Sequence, residues 1–324
     1  MAVFGLEDWG DVEDDGDWPT LLLGNGASRA VSSKFAYDSL YTVAPLTQDD
    51  RDLFAALRTT NFEEVLNHLR TASLVCDQLG HSSSDVDDRY ESIKDALIDA
   101  VHAHHVEWAD VDAGDRLLKI RDALLAYEAV FTTSYDLLAY WAMMNAGVPP
   151  GDGFGDLFWN ADHVFDPFDT DPYGDKTLVY WLHGGLHLYR NAAGETKKRT
   201  NTGANLLATF AAGNRVPLFV SEGTSQRKRR AIRRSDYLEH VYTTFADTDG
   251  PLVVFGQAFG NPDTHLVKAV RSDPARDIAY GIYATTQPSA NLQRAQIENH
   301  FPQASIAFFD STTHPLGDPT LQVP

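Results

Sequence analysis

In the stretch AVFTTSYDLLAYW, residues 129–141, an apolar run gives way to Thr132 and Thr133, then to Ser134, Tyr135 and Asp136. An apolar pattern of helical period follows. A hydroxyl and a carboxylate two residues apart at the end of a buried strand could hold a ligand or a water, because open α/β sheets bind ligands at that edge. Ser134 is equally suited to cap the helix that follows. A second stretch, LLLGNGASRA, runs a strand into Gly24, Asn25, Gly26, Ala27 and Ser28. Its glycines permit a tight turn and close backbone approach, and the free N–H groups of a helix start favour a phosphate. Arg29 stands where the third glycine of a Gly-x-Gly-x-x-Gly fingerprint would be. A structural turn therefore explains this segment as often as a nucleotide site does. In LVYWLHGGLHLYR, His183 closes a strand ahead of Gly184 and Gly185. An imidazole there could act as a general base near neutral pH, although a histidine bonded locally beside a turn is the commoner case.

Other candidates read as structure. The glycines between His183 and His187 disfavour a helical metal pair, and His102 and His105 sit at i, i+3 on an expected surface helix. No metal site is expected. The acid-rich loop at residues 162–175 lacks the spacing of a calcium-binding loop and reads as solvated. The basic run RKRRAIRR, residues 227–234, reads as a solvated helix face, with a docking patch for phosphate or an acidic partner as the alternative.

The elements that must position these residues alternate along the chain at uneven spacing. Seven short runs, TLLLGNG, AVFTTS, TLVYWLHG, VPLFVSEG, PLVVFGQAF, IAYGIYA and SIAFFDS, look like buried parallel strands, with helical segments between most of them. The alternation predicts an α/β fold: a Rossmann-like, doubly wound, mainly parallel sheet, as a single domain over residues 1–324. About a hundred residues of helical pattern separate the first run from the second. They predict a helical insertion packed on the sheet at residues 45–127, with HSSSDVDD, residues 81–88, as its most linker-like part. Asn61 and Glu64 have the spacing of a capping box.

Composition narrows the function classes. The chain has 324 residues, 43% of them hydrophobic, with a formal charge of -20. That acid excess argues against broad nucleic-acid binding. No apolar run approaches the ~18 residues that would span a bilayer, and the acidic start is unlike a signal peptide, so a cytoplasmic protein without membrane contact is expected. Cys76 is the single cysteine, which excludes an intrachain disulfide and any zinc module built from several cysteines.

Taken in order, these pieces resemble the sirtuin-like family. Its cores carry a Gly-x-Gly-x-Ser turn, a Thr-Thr-Asn-Tyr-Asp turn, a His-Gly at a strand end and a late strand closing in glycine. Here these are Gly24 to Ser28, Thr132 to Asp136, His183-Gly184 and VVFGQAFGNPD around Gly256. NFEEVL and VSEGTSQRK look like a prokaryotic branch of compact sirtuin-like proteins. The resemblance implies NAD+ as substrate or ligand, held by Gly24, Asn25, Gly26, Ala27, Ser28, Thr133 and Gly256. It implies that Asp136 bonds the nicotinamide carboxamide, that His183 acts on the nicotinamide ribose, and that Ser134 replaces an asparagine that places ribose and water. Ala258 replaces a serine. Sirtuin deacetylases need a four-cysteine zinc module, so the resemblance implies an NAD+ glycohydrolase releasing nicotinamide and ADP-ribose, as in antiviral defence. Such an enzyme would need restraint by a homo-oligomer or a defence partner. The alternative is a catalytically silent NAD or ADP-ribose sensor, favoured by Ser134. Ser221, Glu222, Thr285 and Asp310 lie near expected strand ends, where an adenine could sit.

Overall fold

The computed structural model describes residues 3–35, 40–145, 153–168, 175–191, 193–200, 206, 217–220 and 224–323. The strands are β1 (Thr20–Leu23), β2 (Ala129–Thr132), β3 (Phe154–Gly155), β4 (Thr177–Trp181), β5 (Gly184–Arg190), β6 (Thr196–Lys198), β7 (Pro217–Phe219), β8 (Leu252–Phe255), β9 (Asp277–Ile282) and β10 (Ser305–Asp310). Seven of them form one parallel sheet in the order β10-β9-β8-β1-β2-β4-β3. β1 is buried along its whole length, and Leu22 lies level with Phe131 on one neighbour and Val254 on the other. An unbroken Thr-Leu-Leu-Leu run suits a strand covered on both faces. The fold is therefore the expected α/β, Rossmann-like arrangement. The chain leaves β1 toward β2 and β4, then returns to the other side at β8, so the direction reverses between β1 and β8. Ligands of such sheets bind beyond the carboxyl ends of the strands at that reversal.

One expected strand of this sheet lies elsewhere. VPLFVSEG supplies β7, which runs antiparallel to β5, and β5 also pairs with β6. His183-Gly184 thus opens a second, three-stranded antiparallel sheet. Gly184 makes this possible: its φ is +75°, and a Cβ there would lie 2.1 Å from the Leu218 carbonyl oxygen. A three-residue apolar strand carries no signal for its direction, which is why pattern alone misplaced it.

Between β1 and β2 the chain is helical, with the longest helices at Phe62–Gln78 and Ser84–His104 packed on each other. The second starts inside HSSSDVDD, where a linker was expected, and the Ser83 hydroxyl donates to Asp87 at 2.7 Å in its first turn. The capping box forms only in part. Asn61 Oδ1 accepts from the Glu64 N–H at 3.4 Å, while the Glu64 carboxylate accepts from the Thr59 hydroxyl at 2.8 Å. No helix among the described residues is long and apolar enough to cross a membrane.

Candidate functional site

In the turn after β2, Asp136 both caps a helix and closes a buried polar cluster. Its Oδ1 accepts from the Leu138 N–H at 2.9 Å at the start of the helix Leu138–Asn145. Its Oδ2 accepts from the Ser134 hydroxyl at 2.5 Å and from the Ser28 hydroxyl. All three residues are buried. Each hydroxyl owns one proton, so when both point at Asp136 the 3.0 Å contact between Ser28 and Ser134 is no longer a hydrogen bond. Beside them lies a cavity of about 30 Å³, room for one water, walled by Leu23, Ile120, Leu316 and Leu321. Among the described residues the Ser134 hydroxyl meets Ser28 and Asp136 and caps no helix; its own N–H is held by the Thr132 hydroxyl at 3.1 Å.

A second polar cluster starts one residue earlier. The Thr133 hydroxyl donates to Gln257 Oε1 at 2.7 Å, and Gln257 Nε2 donates to Asp263 Oδ2 at 3.1 Å. Asp263 Oδ1 pairs with Lys228 at 2.9 Å. Next to it, His183 Nε2 lies 2.9 Å from His265 Nε2, and His265 Nδ1 lies 3.2 Å from the Ser225 hydroxyl. Burial drives the His183 imidazole well below its ordinary pKa, and burial likewise pushes His265 down to about 4. Both rings are neutral at pH 7, and each neutral ring has one nitrogen lone pair. Lys228 belongs to the basic run, which is therefore not a simply solvated face. Lys228 and Ile232 are buried, and Arg229 stacks 4.0 Å over Tyr242 while pairing with Glu239.

The glycines sit between β1 and β8. The N–H groups of Gly24 and Gly26 donate to the carbonyls of Phe255 and Gly256 at 2.8 and 2.9 Å, and the Ala27 N–H donates to Gly24 at 3.1 Å. A Cβ on Gly24 would lie 2.4 Å from the Gly256 oxygen, and one on Gly26 would lie 2.6 Å from Gly256 Cα. These glycines lock two strand-end turns together across the sheet reversal. Asn25 is exposed and donates its side-chain amide to the Phe35 carbonyl at 3.2 Å.

Of the expected site residues, Ser28, Ser134 and Asp136 thus meet in one cluster, Gly24, Gly26 and Gly256 in an interlock, and Thr133 and His183 in two neighbouring networks. The bond chains that join Thr133 to Asp263, and His183 to Ser225, run through Gln257 and His265, which sequence reasoning did not single out. Of the residues considered for an adenine, Thr285 is exposed, Asp310 Oδ1 accepts from the Thr312 N–H at 2.9 Å, and Ser221 and Glu222 lie outside the described residues. Within the acid-rich loop, Phe165 is buried, and residues 169–174 also lie outside the described residues.

His105 corrects the expectation of a surface helix. It is buried just past that helix, its Nε2 accepting from the Leu137 N–H at 3.0 Å while Nδ1 donates to the Val106 carbonyl at 2.8 Å. That pattern fits only the neutral ring. Burial also lowers the pKa of His187, and it pushes His314 down to about 3. In the unfolded chain such rings titrate near 6.5. Below that pH, down to the folded values, the unfolded state binds more protons, so stability falls as pH falls. The urea midpoint is expected to hold from pH 8 to 7 and to drop from about 6.5 downward, with each such histidine adding roughly 1.4 kcal/mol per pH unit at most. His314→Phe should lower the slope by one histidine's share. A flat profile between about pH 6.5 and 5 would contradict the neutral assignment.

Residues 21–316 match the family described as a domain of unknown function (DUF4917). This match overturns the sirtuin-like resemblance. The four motifs that carried it are short strand, turn and helix junctions, which many α/β sheets need for the same steric reasons. No curated protein matches the chain.

Proposed function

The chain belongs to the DUF4917 family, and from the geometry of its sheet edge we propose that it binds NAD+ there and hydrolyses the bond to nicotinamide. One observation carries this reading: a carboxylate, three hydroxyls and a neutral histidine pair collect beyond the carboxyl ends of β1, β2, β4 and β8, beside the sheet reversal. Breaking a glycosidic bond builds positive charge on the ribose, which a fixed carboxylate such as Asp136 offsets. The leaving step needs a base for water or a ribose hydroxyl, and the candidate is the neutral His183 ring just past β4, in the network that neighbours the Asp136 cluster. Leu316 and Leu321 line the small cavity beside Asp136, so a dinucleotide at Asp136 has to displace them.

The test is nicotinamide release from purified protein incubated with NAD+. His183→Ala is expected to remove at least a hundredfold of the rate while keeping a cooperative unfolding transition. Unchanged release in that variant takes His183 out of the mechanism. A second reading, a silent sensor of NAD+ or ADP-ribose, is favoured by Asp136, whose two oxygens are already satisfied by protein donors. Calorimetric binding with no nicotinamide release would select it.

A further inference from the structure

Two imidazoles and a carboxylate converge behind the Thr133–Gln257 contact. One ligand atom each from His183, His265 and Asp263 lies within 4.8 Å of the others, and the two Nε2 atoms are 2.9 Å apart. We propose that His183, His265 and Asp263 bind a divalent transition-metal ion, of the zinc or ferrous class, leaving at least one coordination position open. Two histidines and one carboxylate are a donor set such ions accept. Metal–ligand bonds of about 2.0–2.2 Å put neighbouring ligand atoms roughly 3–3.4 Å apart. The imidazole pair is already near that spacing, and the Asp263 carboxylate closes the remaining distance by turning about its side-chain bonds, giving up one of its contacts with Gln257 and Lys228.

The surrounding groups orient the ligands as metal sites require. Ser225 holds His265 Nδ1 at 3.2 Å, while Gln257 and Lys228 hold the two Asp263 oxygens. Without metal, one of the two Nε2 atoms carries the proton and the other accepts it. On binding, that ring shifts its proton to Nδ1, so both Nε2 lone pairs are free for the ion and no proton leaves. Lys228 opposes the ion, its ammonium lying 2.9 Å from Asp263 Oδ1. The site thus combines a built donor set with one adjacent cation that weakens it. It stands on its own distances and does not need the dinucleotide reading. Metal on His183 Nε2 takes the lone pair that a base would use, so the two roles exclude each other at that ring.

Metal-free full-length protein titrated with Co2+ is expected to bind one equivalent, with visible absorption bands of nitrogen ligation. Zn2+ should displace the Co2+. His265→Ala should weaken binding roughly a hundredfold, and Lys228→Gln should tighten it roughly tenfold by removing the opposing charge. Should His265→Ala fail to fold, the wild-type protein labelled with ¹⁵N-histidine gives the same answer, since Zn2+ must shift the Nε2 resonances of His183 and His265. Absence of uptake, uptake unchanged in folded His265→Ala, or Nε2 resonances that do not move would each overturn the proposal. Weaker binding in Lys228→Gln would do so as well.

Discussion

Gly256→Ala is expected to cost about 3 kcal/mol or more of folding stability, read as a lowered urea midpoint, whereas Gly80→Ala should cost only about 1 kcal/mol. The two glycines share a φ of +71°, so the backbone strain of adding a side chain is common to both. Their surroundings differ. Gly80 has nothing within 4 Å of an added Cβ, but at Gly256 that carbon would lie 2.5 Å from the Ala27 nitrogen and 2.9 Å from Gly26 Cα. Backbone on both sides cannot rotate away as a flexible side chain could. The two turns would have to separate, breaking the Gly26–Gly256 hydrogen bond and shifting the ends of β1 and β8. Equal losses in the two variants would show that the interlock yields easily and has little part in holding the sheet edge.

Lys198→Met alone is expected to lose about 3–5 kcal/mol, and Asp156→Leu alone a similar amount, while the double variant lies close to wild type. Lys198 Nζ sits 2.6 Å from Asp156 Oδ2 with the side chains 3% and 0% exposed. Removing either partner strands a buried charge, whereas removing both takes away the desolvation cost along with the attraction. Asp156 follows β3 and Lys198 ends β6, so this pair ties the two sheets together where β3 contributes only two residues. Urea unfolding of the four proteins gives the coupling energy directly. Additive losses in the double variant would mean that water already reaches the pair.

Much of the fold was legible because buried strands leave apolar runs. Each of the seven runs contains a strand, and six lie in the parallel sheet. The exception, β7, has three residues and a partner strand, β5, that starts with two glycines and contains a histidine. The site was legible only in part. Ser134 and Asp136 are two residues apart and announce themselves as a strand end. His183 and His265 are separated by 82 residues, and no local spacing links them. The same holds for His105, whose N–H donor, Leu137, comes 32 residues later. At Gly24 and Gly26 a structural turn and a phosphate turn read alike, because the sequence displays a glycine's freedom but not what approaches it. The family resemblance failed for a related reason: it rested on junctions whose residue types answer to backbone geometry before they answer to chemistry.

The central position of β1 governs the order in which this chain can assemble. Its four residues emerge first, yet their partners are residues 129–132 on one side and 252–255 on the other. The intervening helices close on local contacts and can form early, but the sheet's nucleus must await long-range loop closure. That places the protein among slow folders, on the millisecond-to-second scale or longer. While β8 is still missing, one edge of β1 has its hydrogen-bonding groups open, and its leucines invite pairing between neighbouring chains. Refolding yield should therefore fall with protein concentration, and nascent chains that end before β8 should be the species most prone to self-association.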